Sequence, residues 1–219
     1  MKEVSIRDPH LGQPILTTGA SLDEAKAAIL AVHGRGARAE DILSVATQVD
    51  LPDLAYYAPQ AAGKEWYPNR FLVPLESNEP WLSSALAFLE RALAQIVSEG
   101  FPPQRVILLG FSQGACLALE FAARHARRYG GLVGLSGALI GPDDTPRAYA
   151  GSLAGTPIFL GCSNVDPHVP KERVRQAADV LRGLGGDVTE RLYPNLGHIV
   201  NQDEIDFVRS MAQVLIRRL

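Results

Sequence analysis

The sequence predicts an α/β domain in which a mostly parallel sheet carries helices on both faces. Three observations predict it. Short apolar, β-branched runs alternate with segments of helical period. Most connections between them are short, as strand–helix–strand units require. Runs near the middle of the chain, such as Val106-Ile107-Leu108-Leu109, are apolar throughout, as strands buried on both faces must be.

The expected strands cover residues 15–18, 28–33, 54–59, 105–109, 131–135, 157–161 and 187–193. Between them, residues 41–49 place Ile42, Val45, Ala46 and Val49 on one helical face. Residues 81–99 do the same with Leu82, Ala85, Leu86, Leu89, Leu93 and Ile96. Residues 112–124, 169–184 and 201–219 continue the pattern, the last with Ile205, Val208, Met211, Ala212 and Leu215. A loop at 60–80 is long and carries Trp66, Tyr67 and Phe71, which argue against disorder. A second loop at 141–155 is rich in Gly, Pro and Asp and reads as a surface crossing.

A chain of 219 residues, 47% hydrophobic and 21% charged, suits a single domain spanning 1–219 with a substantial core. The formal net charge of −3 leaves no basic face to neutralise a phosphate backbone, so no nucleic-acid partner is expected. The opening residues, Met1 to Asp8, lack the apolar run of a secretory signal. The longest apolar runs are strand-sized, so no stable membrane insertion is expected and the expected location is cytoplasmic. The 2 cysteines, Cys116 and Cys162, have neither disulfide-framework nor metal-ligand spacing, and read as buried reduced thiols. No metal and no cofactor is expected.

Gly110-Phe111-Ser112-Gln113-Gly114 follows a strand and opens a helix. A G-x-S-x-G sequence in that setting makes a sharp turn that lifts a serine hydroxyl above the carboxyl ends of the strands, where open α/β sheets bind ligands. The expected fold is therefore an α/β-hydrolase fold with Ser112 as nucleophile. Ser136, in Gly134-Leu135-Ser136-Gly137-Ala138, lacks the trailing glycine and reads as a turn residue.

Acyl transfer needs donors aimed at a developing oxyanion. The backbone N–H of Gln113, at the start of the new helix, supplies one. The turn His33-Gly34-Arg35-Gly36 follows an earlier strand and supplies the other through Arg35. His33 itself is expected to fix that turn. In this fold the acid and the base follow the serine in that order. Asp166 sits just past the 157–161 strand, and His198, preceded by Gly197, follows the last strand. Asp166 and His198 are thus the expected acid and base, with His168 lining the site. Asp143 and Asp144 read as turn residues, and Asp187 starts a strand at the wrong end.

These segments resemble the phospholipase/carboxylesterase family of small serine esterases, which includes the acyl-protein thioesterases. The resemblance rests on residues 30–36 with H-G-R-G, residues 110–115 with G-F-S-Q-G-A, Asp166-Pro167-His168-Val169-Pro170, and Gly197-His198. It implies Ser112, Asp166 and His198 as triad and the Arg35 and Gln113 N–H groups as oxyanion hole. It also implies a sheet without a large cap, and often a homodimer. Thioesterase members usually carry H-G-L-G-D, W-F-D and His-Gly where this chain has H-G-R-G-A, Trp66-Tyr67-Pro68 and Cys162-Ser163. The chain therefore resembles the bacterial esterase branch with H-G-R-G.

The expected activity is hydrolysis of small-molecule carboxylic esters, of short to medium acyl chain, with thioesters or lysophospholipids as possible variants. Trp66, Phe71, Phe111 and His168 are the expected substrate-binding residues, with Tyr67 also offered to the acyl site by the long loop. For the loop aromatics, anchoring into the core is the equal alternative. Arg35 and Arg70 could meet a carboxylate or phosphate on the substrate, or lie solvated at the surface. A non-catalytic ligand-binding protein of the same fold would be expected to lack a triad member, and none is missing here.

Overall fold

A computed structural model describes residues 8–217. The reading of the first seven residues and the last two residues of the final expected helix fall outside that range. Seven strands form one sheet in the order β1-β3-β2-β4-β5-β6-β7. They are β1 (Ile15–Gly19), β2 (Ala27–Val32), β3 (Leu54–Pro59), β4 (Val106–Phe111), β5 (Gly131–Leu135), β6 (Pro157–Ser163) and β7 (Asp187–Tyr193). Only β1 runs antiparallel, against β3; every other pairing is parallel.

Side-chain alternation along the central strands builds two cores. Ala28, Leu30, Val32, Val106 and Leu108 face α2 (Trp81–Ser98), α3 (Gln113–Arg124) and α4 (Lys171–Gly183). Ala27, Ile29, Ala31, Ile107 and Leu109 face α1 (Ala39–Ala46) and α5 (Gln202–Arg217). The expected α/β-hydrolase architecture is thus present, with no large cap among the described residues.

One expected element is divided. The 41–49 helix is α1 followed by a 3-10 turn, Thr47–Val49. Thr47 Oγ1 donates back to the Leu43 carbonyl at 2.8 Å, and Asp50 at φ 50° ends the turn.

Strand order places the site. In the β2–β4 register Val32 pairs with Gly110, so the turn after β2 and the turn after β4 lie side by side. Ser163 pairs with Tyr193 at the ends of β6 and β7, so the loops carrying Asp166 and His198 are also neighbours.

Candidate active site

Ser112 has φ 55° and ψ −122°, a conformation costing a non-glycine residue about 1–3 kcal/mol. The surroundings hold it there. Its N–H donates to the Leu135 carbonyl at 2.9 Å, and its carbonyl accepts from the Cys116 N–H at 3.0 Å, opening α3. The turn is tight enough that a Cβ on Gly110 would strike the Gly114 backbone, and one on Gly114 the Val32 and His33 carbonyls. Glycine is the residue that fits at both positions.

The raised hydroxyl meets His198. Ser112 Oγ lies 2.8 Å from His198 Nε2, and His198 Nδ1 lies 2.7 Å from Asp166 Oδ2. The Asp166 side chain is fully buried. Its other oxygen accepts the His168 and Val169 N–H groups at 2.8 and 3.0 Å. Burial alone would raise the Asp166 carboxyl, but the His198 bond and these two amides outweigh it and hold it below its ordinary value. Phe111 lies tilted against the His198 ring at 5.0 Å, and His168 meets it edge-on at 4.8 Å.

Beside the serine, the Arg35 and Gln113 backbone N–H groups have no protein acceptor among the described residues. His33 is fully buried under them. Its Nδ1 donates to the Gly34 carbonyl at 2.8 Å while Nε2 accepts the Ala61 N–H at 3.0 Å. Burial pushes its pKa down, so the ring is a neutral strut for the turn.

The side chains of Arg35 and Gln113 both reach into the 60–80 loop. The Arg35 guanidinium donates to Glu65 Oε2 and to the carbonyls of Tyr67, Pro68 and Asn69, at 2.5–2.8 Å. Gln113 accepts the Trp66 N–H at 2.9 Å and donates to the Tyr67 carbonyl at 2.7 Å. The Arg35 guanidinium, which also lines the cleft, is thus engaged by four protein acceptors.

A cleft of about 310 Å³ opens above Ser112, Gln113 and His198. Phe71, Val169, Tyr67 and Cys116 form its inner wall, and Arg70 and His168 its mouth. A larger groove of about 570 Å³, bounded by Leu72, Pro142 and Arg173, is lined by none of Ser112, Asp166 and His198.

Phe71 and His168 thus face the cleft, and two other expected lining residues do not. Trp66 is fully buried, its Nε1–H donating to the His33 carbonyl at 2.8 Å, and it anchors the loop instead. Phe111 backs the imidazole and packs toward the α1/α5 core. Their places fall instead to Tyr67 and Cys116. Tyr67 is among the loop aromatics that the sequence offers to the acyl site. Cys116 lies one helical turn after Ser112 and lines the same cleft. His10 had no local signal at all. It is fully buried and bridges the Trp66 carbonyl and the Ala62 N–H at 3.0 and 3.1 Å.

The phospholipase/carboxylesterase family model matches residues 15–216. A phospholipase/carboxylesterase structure from Dyadobacter fermentans superposes with a TM-score of 0.87 at 39% identity, covering 92% of this chain and 96% of that one. Acyl-protein thioesterase 1 of Saccharomyces cerevisiae is 34% identical over 156 residues, 68% of this chain and 65% of that protein. Acyl-protein thioesterase 1 of Gibberella zeae is 32% identical over 135 residues, 58% of this chain and 54% of that protein. The matches span between about half and two thirds of these curated relatives. Together with the fold and the hydrogen-bonded Ser112–His198–Asp166 arrangement, the family match leads to one conclusion: the chain belongs to the phospholipase/carboxylesterase family.

Proposed function

We propose that this protein hydrolyses carboxylic esters through an acyl-enzyme on Ser112. The observation that carries the reading is the unbroken chain from Ser112 Oγ through His198 to Asp166, set on a strained turn beside two uncommitted backbone N–H groups. Hydrogen bonding lets His198 Nε2 take the serine proton as Oγ attacks the ester carbonyl. Asp166, fixed by two amides, holds Nδ1–H and stabilises the imidazolium that forms. The oxyanion rests on the Arg35 and Gln113 N–H groups, the latter at the positive end of α3. His198 returns its proton to the departing alcohol, and water then releases the acid by the same route.

A cleft of about 310 Å³ is at the small end of ligand sites, which favours short to medium acyl groups. Thioesters and lysophospholipids share the same acyl-transfer step and differ in the leaving group. Both cysteines are free and buried, which supports a cytoplasmic enzyme.

The test is p-nitrophenyl ester hydrolysis from acetate to palmitate, comparing wild type with Ser112→Ala. The reading predicts highest kcat/KM at short or medium length and a loss of several orders of magnitude in the variant. Turnover that survives Ser112→Ala would overturn it.

A further inference from the structure

We propose that the cleft selects esters carrying a carboxylate close to the scissile bond, and that Arg70 is the residue that selects them. This rests on the esterase reading above and deepens it.

The charges around the cleft cancel except at one place. Arg35 is paired with Glu65 at 2.7 Å and holds three carbonyls besides. Asp166 is paired with His198. Arg70 lines the same cleft as Ser112 and His198, yet among the described residues no carboxylate lies within ion-pairing distance of it. Its one hydrogen bond is a long one, Nη2 to the His168 carbonyl at 3.3 Å. That contact turns the guanidinium toward the loop bearing the triad acid and leaves its other N–H groups without an acceptor. A planar fork of donors matches a carboxylate in a way that a lysine would not.

The inner wall is also more polar than a fatty-acyl channel would need. Tyr67 is 1% exposed, and its buried hydroxyl meets the Cys116 thiol rather than an oxygen acceptor. Burial holds the phenol well above its ordinary pKa, so it remains a neutral donor. A thiol sulfur is a weak acceptor, so the phenol leaves this wall polar. Both features favour a small polar ester over a long hydrocarbon chain.

The experiment compares wild type, Arg70→Gln and Arg70→Lys by pH-stat on four esters. Monoethyl succinate carries its carboxylate on the acyl side, with ethyl butyrate as the neutral match. Acetoxyacetate carries it on the alcohol side, with ethyl acetate as the match. The expected result is a kcat/KM preference of about tenfold or more for one anionic ester over its match. Arg70→Gln should reduce the anionic rate about tenfold more than the neutral rate, and Arg70→Lys should restore part of the preference. Which pair responds assigns the carboxylate to the acyl or the alcohol side. Equal rates within both pairs, or a preference that Arg70→Gln leaves intact, would overturn the proposal while leaving the esterase reading standing. Failure of wild type to turn over any ester, neutral or anionic, would remove both.

Discussion

Arg35 and Gln113 meet at one acceptor: the carbonyl oxygen of Tyr67 takes a hydrogen bond from Arg35 Nη2 at 2.8 Å and from Gln113 Nε2 at 2.7 Å. The two residues whose backbone N–H groups are assigned to the oxyanion hole thus use their side chains to hold the cleft wall. A shift of the wall is therefore transmitted to the hole, and the reverse.

Arg35→Lys tests that coupling. An ammonium group cannot span four acceptors in the plane a guanidinium does. The expected result is a drop in kcat/KM on p-nitrophenyl butyrate of roughly 10–100-fold, since small misplacements of reacting groups are costly. Amide hydrogen exchange across residues 65–71 should rise in parallel. Native kinetics together with native exchange would show that Gln113 alone suffices.

Trp66 is expected to matter for stability first. Trp66→Ala removes a fully buried indole and should cost about 3–5 kcal/mol in urea unfolding. Trp66→Phe keeps most of the volume but strips the His33 carbonyl of its indole donor, and should cost about 1–3 kcal/mol. Equal stability of Trp66→Phe and wild type would mean that this hydrogen bond contributes nothing net.

The thiols are expected to be inert. Burial pushes both Cys116 and Cys162 up to about 12. At pH 8 only about one thiol in ten thousand would be ionised, and the thiolate is the reactive form. Iodoacetamide should therefore label neither in the folded protein and both after denaturation. Stoichiometric alkylation of Cys116 with inactivation that Ser112→Ala does not account for would transfer the nucleophile role to its sulfur.

Glu204 predicts a pH dependence of stability. It caps α5, with Oε2 accepting the Asn201 N–H at 2.8 Å, while Oε1 is buried without a partner. Burial pushes the carboxyl up to about 7 from an ordinary 4.5. The folded state therefore binds this proton more tightly than the unfolded one. Its contribution to stability is complete below about 4.5 and is lost as pH rises through about 7. Glu204→Gln keeps the capping acceptor and should raise Tm by several degrees at pH 8, at about 2–4 °C per kcal/mol, with the gain shrinking toward pH 5. A gain independent of pH would contradict the assignment.

The strands and helices were legible because each buries a face whose period shows in the chain, and the strand before Ser112 and the helix after it favoured a sharp turn over a simple helix cap. Boundaries slipped where a local bond competes with the helix, as at Thr47. The 60–80 loop resisted reading for a different reason. It has no period, so nothing local says that Trp66 turns inward and Tyr67 toward the cleft. Its shape is set by contacts from far along the chain: Arg35, Gln113 and His10. Motif logic assigned Arg35 and Gln113 roles for their backbone N–H groups and was silent about their side chains.

The central claim is that Ser112 is a nucleophile activated by His198. The most direct measurement is reaction with a fluorophosphonate, with the adduct mapped by peptide mass spectrometry in wild type, Ser112→Ala and His198→Ala. The account predicts one adduct per chain on Ser112, none in Ser112→Ala, and labelling slowed by at least about a hundredfold in His198→Ala. An adduct on another residue, or undiminished labelling without His198, would contradict it.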